Sequence, residues 1–146
     1  MSKFVINLPR VAVQRWTAPL DPQGHAWVSI GEPGPNFSHV ENEVLDLLPK
    51  LKLCFHDVIR LMEHGTRVYR PPSEANAKQI VDFLVSHKEK NIIVNCAAGI
   101  SRSGAVAQFC QAFLGHVWDE KQQSLSIPNS KLFELMAKYF ATLRRK

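Results

Sequence analysis

Cysteine is scarce in this chain. Its 146 residues hold three, Cys54, Cys96 and Cys110, and no C-x-x-C pair. An odd, widely spaced set argues against a disulfide framework and against a cysteine-rich zinc site. The six histidines never fall at H-x-x-x-H spacing, so the ligand pattern of a structural or catalytic metal is missing as well. No apolar run approaches the roughly 20 residues that cross a bilayer. The opening stretch, Met1 to Pro9, lacks the long apolar segment and small-residue cleavage site of a secretory signal. The expectation is a cytoplasmic protein with no membrane span. Nucleotide loops are absent too. G-x-G-x-x-G does not occur, and although Gly99 and Gly104 have P-loop separation, Ala105 stands where lysine must reach the phosphates. No cofactor is expected.

What remains is a chain 45% hydrophobic and 21% charged, a globular composition that suits a single domain over 1–146. Its formal net charge of +5 fits an anionic substrate or surface. Basic residues are dispersed except for the tail Arg144-Arg145-Lys146. That tail reads as a helix end favourable against the dipole, which leaves nucleic acid a less favoured partner.

Strands and helices alternate along the sequence. Lys3–Asn7 reads as an edge strand stopped by Pro9, and His25–Ile30 as a strand entering the turn-rich Gly31–Asn36. Val40, Val44, Leu47 and Leu48 share one face of a helix predicted over Val40–Leu48. Leu51–Phe55 reads as a third strand, and His56–Pro72 as irregular. A helix capped by Ser73-Glu74-Ala75-Asn76 buries Ile80, Val81, Leu84 and Val85. Asn91–Asn95 is a buried strand and Ser101–Phe113 a helix of small residues. A last helix follows Ser126-Ile127-Pro128-Asn129. The alternation predicts an α/β domain with a mainly parallel sheet. Ligands in such sheets sit beyond the carboxyl ends of the strands, where Cys96 and the pair His56-Asp57 both fall.

The densest chemistry lies in Asn95-Cys96-Ala97-Ala98-Gly99-Ile100-Ser101-Arg102-Ser103. A strand leads in and a helix leads out, so backbone N–H groups can gather around an anion. Helix N-terminal amides and a nearby cation acidify a thiol, and the planar fork of Arg102 suits a phosphate. Ser103 is placed to hydrogen-bond the sulfur. The small residues Ala97, Ala98 and Gly99 let the chain curl tightly.

Ile92–Ser103 resembles the C-x5-R loop of cysteine-based protein tyrosine phosphatases. The surroundings look most like the small dual-specificity-like branch, including its bacterial and phage members. Leu51–Val58 is similar to that group's strand ending in Phe-x-Asp-hydrophobic, Ala26–Gly34 to its strand and following turn, and Pro128-Asn129 to its entry into the last helix. The resemblance implies a three-layer α/β sandwich with four to five mainly parallel strands flanked by helices. It implies Cys96 as nucleophile and Arg102 with loop residues Ala97, Ala98, Gly99, Ile100 and Ser101 as the phosphate cradle, which would also take a free phosphate or sulfate ion. Asp57 becomes the general acid, with Asp82 and Glu63 as rivals, and Ser103 helps expel the thiolate. The substrate would be a phosphorylated protein or another phosphomonoester. RNA 5′-phosphates, phosphoinositides and nucleotides stay open alternatives. One departure stands out. The family usually carries histidine before the cysteine, where this chain has Asn95, which can donate a hydrogen bond but holds no charge. That departure keeps a non-catalytic phosphate-binding module in view. Cys54 is a candidate to protect Cys96 by a disulfide, with a small buried hydrophobe as the plainer reading. His56 is read as an exposed loop residue or as one that orients Asp57, and Arg67, Tyr69 and Arg70 as candidates to line the mouth of the pocket.

Overall fold

Five short runs pair into one sheet in a computed structural model that describes residues 2–33 and 40–145. The chain order is β1 (Phe4–Pro9), α1 (Arg10–Gln14), β2 (His25–Gly31), β3 (Lys50–Cys54), β4 (Met62–His64), β5 (Arg67–Tyr69), α2 (Glu74–Ser86), β6 (Asn91–Cys96), α3 (Arg102–Phe109), β7 (Val117–Trp118), α4 (Glu120–Leu125) and α5 (Ser130–Arg144). The sheet runs β3-β2-β6-β1-β7, and every pairing in it is parallel. It is the α/β architecture with a parallel sheet and flanking helices that the alternation predicts.

Side chains alternate across the sheet and so build two cores. Ala26, Val28, Ile30, Ile92, Val94 and Cys96 face one side, covered by α2, α3 and α5 through Ile80, Leu84, Val106, Phe109, Leu132 and Met136. Trp27 and Ile93 face the other, against Val13 of α1 and Val40, Leu45 and Leu48. The helices are stopped and started by local chemistry. Ser73 and Asn76 form a reciprocal capping box on α2, and the Asn129 side chain caps α5 by accepting from Leu132 N–H. Helix α3 widens into a π turn over Cys110–Leu114 and ends at Gly115 in the left-handed region, φ 80°.

Several local expectations are corrected. The first strand is interior, not an edge, because β7 pairs with Phe4 and Val5 on its outer side. Past β7, the Gln122 amide accepts from Asn7 N–H and donates to Asn7 C=O, both at 3.2 Å. Pro9 does end β1, but α1 begins directly after it. The predicted helix at 40–48 is a single 3₁₀ turn, Leu45–Leu47, with Leu47 exposed. Asn42 explains this. Its side-chain oxygen accepts from Val44 and Leu45 N–H, while its amide donates to Val13 C=O and Trp16 C=O. A residue that satisfies four backbone groups through its side chain replaces the helix ladder. His56–Pro72 contains an antiparallel hairpin, β4–β5. The predicted turn at Gly31–Asn36 runs into 34–39, outside the described residues.

Candidate active site

Parallel strands bring their carboxyl ends to one edge, and here the register aligns them closely. Gly31 at the end of β2 lies opposite Cys54 at the end of β3, Ser29 lies opposite Asn95, and Pro9 lies opposite Cys96. The loop that follows Cys96 is held against the β1–α1 junction. Arg10 N–H donates to Ala97 C=O at 3.1 Å, and the Asn7 amide donates to Gly99 C=O at 2.9 Å. Gly99 has φ +72°, and a Cβ there would sit 2.4 Å from Pro9 N and 2.6 Å from Leu8 C. Only glycine fits, both in conformation and in space. At the far side, Ser101 C=O accepts from Asn129 N–H at 3.0 Å and from Ala105 N–H at 2.9 Å.

Cys96 is buried at the base of this loop, and its Sγ lies 3.3 Å from Oγ of the equally buried Ser103. The thiol donates to the hydroxyl; once ionised, the direction reverses and the hydroxyl donates to sulfur.

Arg102 opens α3 and is 3% exposed. Its Nη1 donates to Phe55 C=O at 2.8 Å and to Gly31 C=O at 3.4 Å, and Nη2 donates to Glu32 Oε1 at 2.5 Å. Thus the ends of β2 and β3 clamp the guanidinium from behind. Its Nε is buried and has no hydrogen-bond partner among the described residues. A buried charged donor left unpaired is costly in a native protein unless something outside the chain completes it.

Asp57 follows the end of β3 and reaches the loop. Its Oδ1 accepts from Ser101 Oγ at 2.7 Å and from Asn129 Nδ2 at 3.0 Å. The Asn129 amide also donates to Val58 C=O at 3.1 Å. One asparagine therefore caps α5 through its oxygen and holds the Asp57 segment through its nitrogen.

The structure thus gathers Cys96, Arg102, Ser103, Ser101 and Asp57 at one sheet edge. Ala97, Ala98 and Ile100 are exposed along the loop, with Gly99 half-buried. The rivals to Asp57 lie elsewhere. Asp82 on α2 accepts from Tyr139 Oη at 2.7 Å, and Glu63 lies in β4 opposite Val68. His56 closes the base of the hairpin instead of touching Asp57. Its Nδ1 accepts from Arg70 N–H at 2.8 Å, its N–H donates to Arg70 C=O at 3.0 Å, and its ring packs on Tyr69. Arg67 and Tyr69 belong to β5, within that excursion. Asn95 turns to the face opposite Cys96, where its oxygen accepts from Trp27 Nε1.

Cys54 lies two strands from Cys96, with β2 between them. Two strand spacings are roughly 10 Å, beyond the Cα separation of about 7 Å that a disulfide tolerates. Burial and the Glu32 charge push the Cys54 thiol's pKa up, and burial pushes that of Cys110 up as well.

Sequence reasoning passed over Glu32 and Asn7. Glu32 carried a usable signal, because it follows a strand end on the same sheet edge as Asp57. Asn7 carried none. It meets the loop only through a buried network in which its oxygen also accepts from Trp118 Nε1, 111 positions away.

No protein-family profile and no curated protein sequence matches this chain. Among solved structures it is similar to the crystal structure of PTPMT1 in complex with PI(5)P. The identity is 14% over 96% of this chain and 94% of that one, with a TM-score of 0.47.

Proposed function

We propose that this protein hydrolyses phosphomonoesters through a phosphocysteine intermediate, as a phosphatase of the tyrosine or dual-specificity type. The observation that carries the reading is the Nε of Arg102, which has no partner among the described residues. Among the described residues, three acceptors occupy the Nη atoms, and Nε is buried and unmatched. A phosphoryl oxygen over the Cys96 loop supplies the missing acceptor in charge-assisted form.

The residues then divide the work. The Cys96 thiolate attacks phosphorus, forming the S–P bond as the P–O bond to the leaving group breaks. Arg102 and the loop amides hold the three equatorial oxygens while charge redistributes. Asp57 gives its proton to the leaving oxygen. Both hydrogen bonds to its carboxylate fall on Oδ1, which makes Oδ2 the oxygen that carries the proton. In the second half, Asp57 takes a proton from water as the water oxygen attacks phosphorus. The S–P bond breaks, phosphate leaves, and Ser103 donates to the departing thiolate.

The test is hydrolysis of p-nitrophenyl phosphate by the wild type and by Cys96→Ser. The variant is expected to lose essentially all turnover, and mass spectrometry of the quenched wild type is expected to find phosphate on Cys96. Equal rates would refute cysteine catalysis. Absence of turnover together with tight phosphopeptide binding by the wild type would make this a binding module instead.

A further inference from the structure

Exposed aliphatic side chains collect on the edge of the sheet that carries the proposed site. Ile59 is 55% and Leu61 58% exposed, directly after Asp57, while Leu125 is 74% and Ile127 75% exposed, just before Asn129. Ile100, on the loop itself, is exposed as well. Hydrogen bonds already described draw these three stretches of chain together. Ser101, next to Ile100, bonds Asp57; Asn129, two residues after Ile127, holds Val58 C=O. Scattered apolar residues on a surface mean little, whereas a set gathered around one feature marks a contact surface.

The shape of this set decides what it fits. Residues that line a peptide groove are shielded by its opposite wall. Ile59, Leu61, Leu125 and Ile127 are each more than half exposed, so they project outward from two separate stretches of chain around the Cys96 loop. Arg60 lies between Ile59 and Leu61, and Arg70 at the base of the same hairpin; both are exposed. Projecting aliphatic tips interleaved with arginine, on a chain of net charge +5, complement a surface that is apolar beneath and anionic on top. A phospholipid bilayer is such a surface.

We infer that this edge docks on anionic membranes, and that the phosphomonoester offered to Cys96 is a lipid headgroup. The second half of the inference rests on the phosphatase reading; the first does not. Ile59, Leu61, Leu125 and Ile127 enter the interface between headgroups and acyl chains. Arg60 and Arg70 meet lipid phosphates, and the loop faces the bilayer.

The experiment separates the two halves. The full chain is sedimented with phosphatidylcholine vesicles, with and without phosphatidylserine, alongside the double variant Leu61→Ser/Ile127→Ser. Turnover is followed on p-nitrophenyl phosphate, on a soluble phosphotyrosine peptide and on phosphatidic acid in vesicles. The wild type is expected to sediment with the anionic vesicles, and the double variant to lose roughly tenfold in partitioning for each side chain removed. The variant is expected to keep p-nitrophenyl phosphate turnover and to lose vesicular phosphatidic acid turnover in proportion. Wild-type binding that is absent, indifferent to phosphatidylserine, or unchanged in the variant would overturn the docking surface. So would a variant defect confined to soluble phosphopeptides, which would make the rim a peptide-binding surface. If docking depends on the rim while neither phosphate ester is hydrolysed, docking stands and the phosphatase reading fails. If p-nitrophenyl phosphate turns over and docked phosphatidic acid does not, the lipid-headgroup assignment is overturned.

Discussion

Trp27 Nε1 donates to Asn95 Oδ1 at 2.8 Å, on the face of the sheet opposite Cys96. The residue before Cys96 therefore serves the second core. The indole is fully buried beside Val13, Leu45 and Ile93, where its N–H needs an acceptor. Replacing Asn95 with leucine removes that acceptor and should cost about 1–3 kcal/mol of stability, read as a lower urea midpoint with an unchanged m-value. Turnover by the folded variant should persist. A large loss of kcat at unchanged stability would return Asn95 to the chemistry.

Asp57 and Ser101 make a separable pair. Asp57→Asn should lower kcat by about 10²–10⁴-fold, the range for a general acid. The loss should be greater for an alkyl phosphate than for p-nitrophenyl phosphate, whose leaving group needs little protonation. Ser101→Ala removes one of the two bonds on Oδ1. It should lower kcat less than Asp57→Asn does. Equal sensitivity of both leaving groups in Asp57→Asn would remove Asp57 from the acid role.

Gly99→Ala places a methyl group against Pro9 N and Leu8 C, backbone atoms that cannot yield as a side chain would. The loop must move or the β1–α1 junction must open, at a cost of at least about 1–3 kcal/mol. Anion binding should suffer with it. The wild type is expected to rise in Tm when phosphate is added, as any native-state ligand requires. Gly99→Ala should melt lower and lose most of that rise. A full phosphate response in the variant would separate the loop from anion binding.

Acid should destabilise the fold through His116. Burial lowers its pKa from the ordinary value of 6.5, its Nε2 pairs with Lys90 C=O, and its Nδ1 is buried without a partner among the described residues. The unfolded chain therefore takes up the proton first. Its contribution is fully present above pH 6.5 and is lost as pH falls below that value towards the folded-state pKa. His87 adds a slope of the same sign, since burial and then the Lys90 charge lower its pKa too. Urea midpoints of wild type and His116→Gln, measured from neutral to mildly acidic pH, should converge as the wild type loses stability. Parallel curves would refute the assignment.

Periodicity made the main frame readable. β2, β3, β6, α2 and α5 appear where alternation, helical stripes and caps placed them, within a residue or two. What escaped was short or side-chain driven. Helix α1 has five residues, only Val13 buried and no side-chain cap, so no window of sequence betrays it. The apolar spacing at 40–48 is that of a helix, yet Asn42 spends its whole side chain on four backbone groups and prevents one. At the site, Cys96, Arg102 and Ser103 were legible because they lie within one short segment. Asp57 was legible as a residue past a strand end, but its hold by Ser101 spans 44 positions. The Glu32–Arg102 pair spans 70, and separations of that size leave no trace in local spacing.

The Gln122 amide laid along Asn7 has a consequence for how the molecule keeps company. Strand β7 covers β1 only at Phe4 and Val5, so the next backbone N–H and C=O on that margin would otherwise be a free rung. An open rung on a parallel sheet invites a strand from another chain. Gln122 fills both positions with its own donor and acceptor. A neighbour seeking to extend the sheet must first displace a side chain that already forms the bonds it would offer. That rung of β1 is filled by a single glutamine.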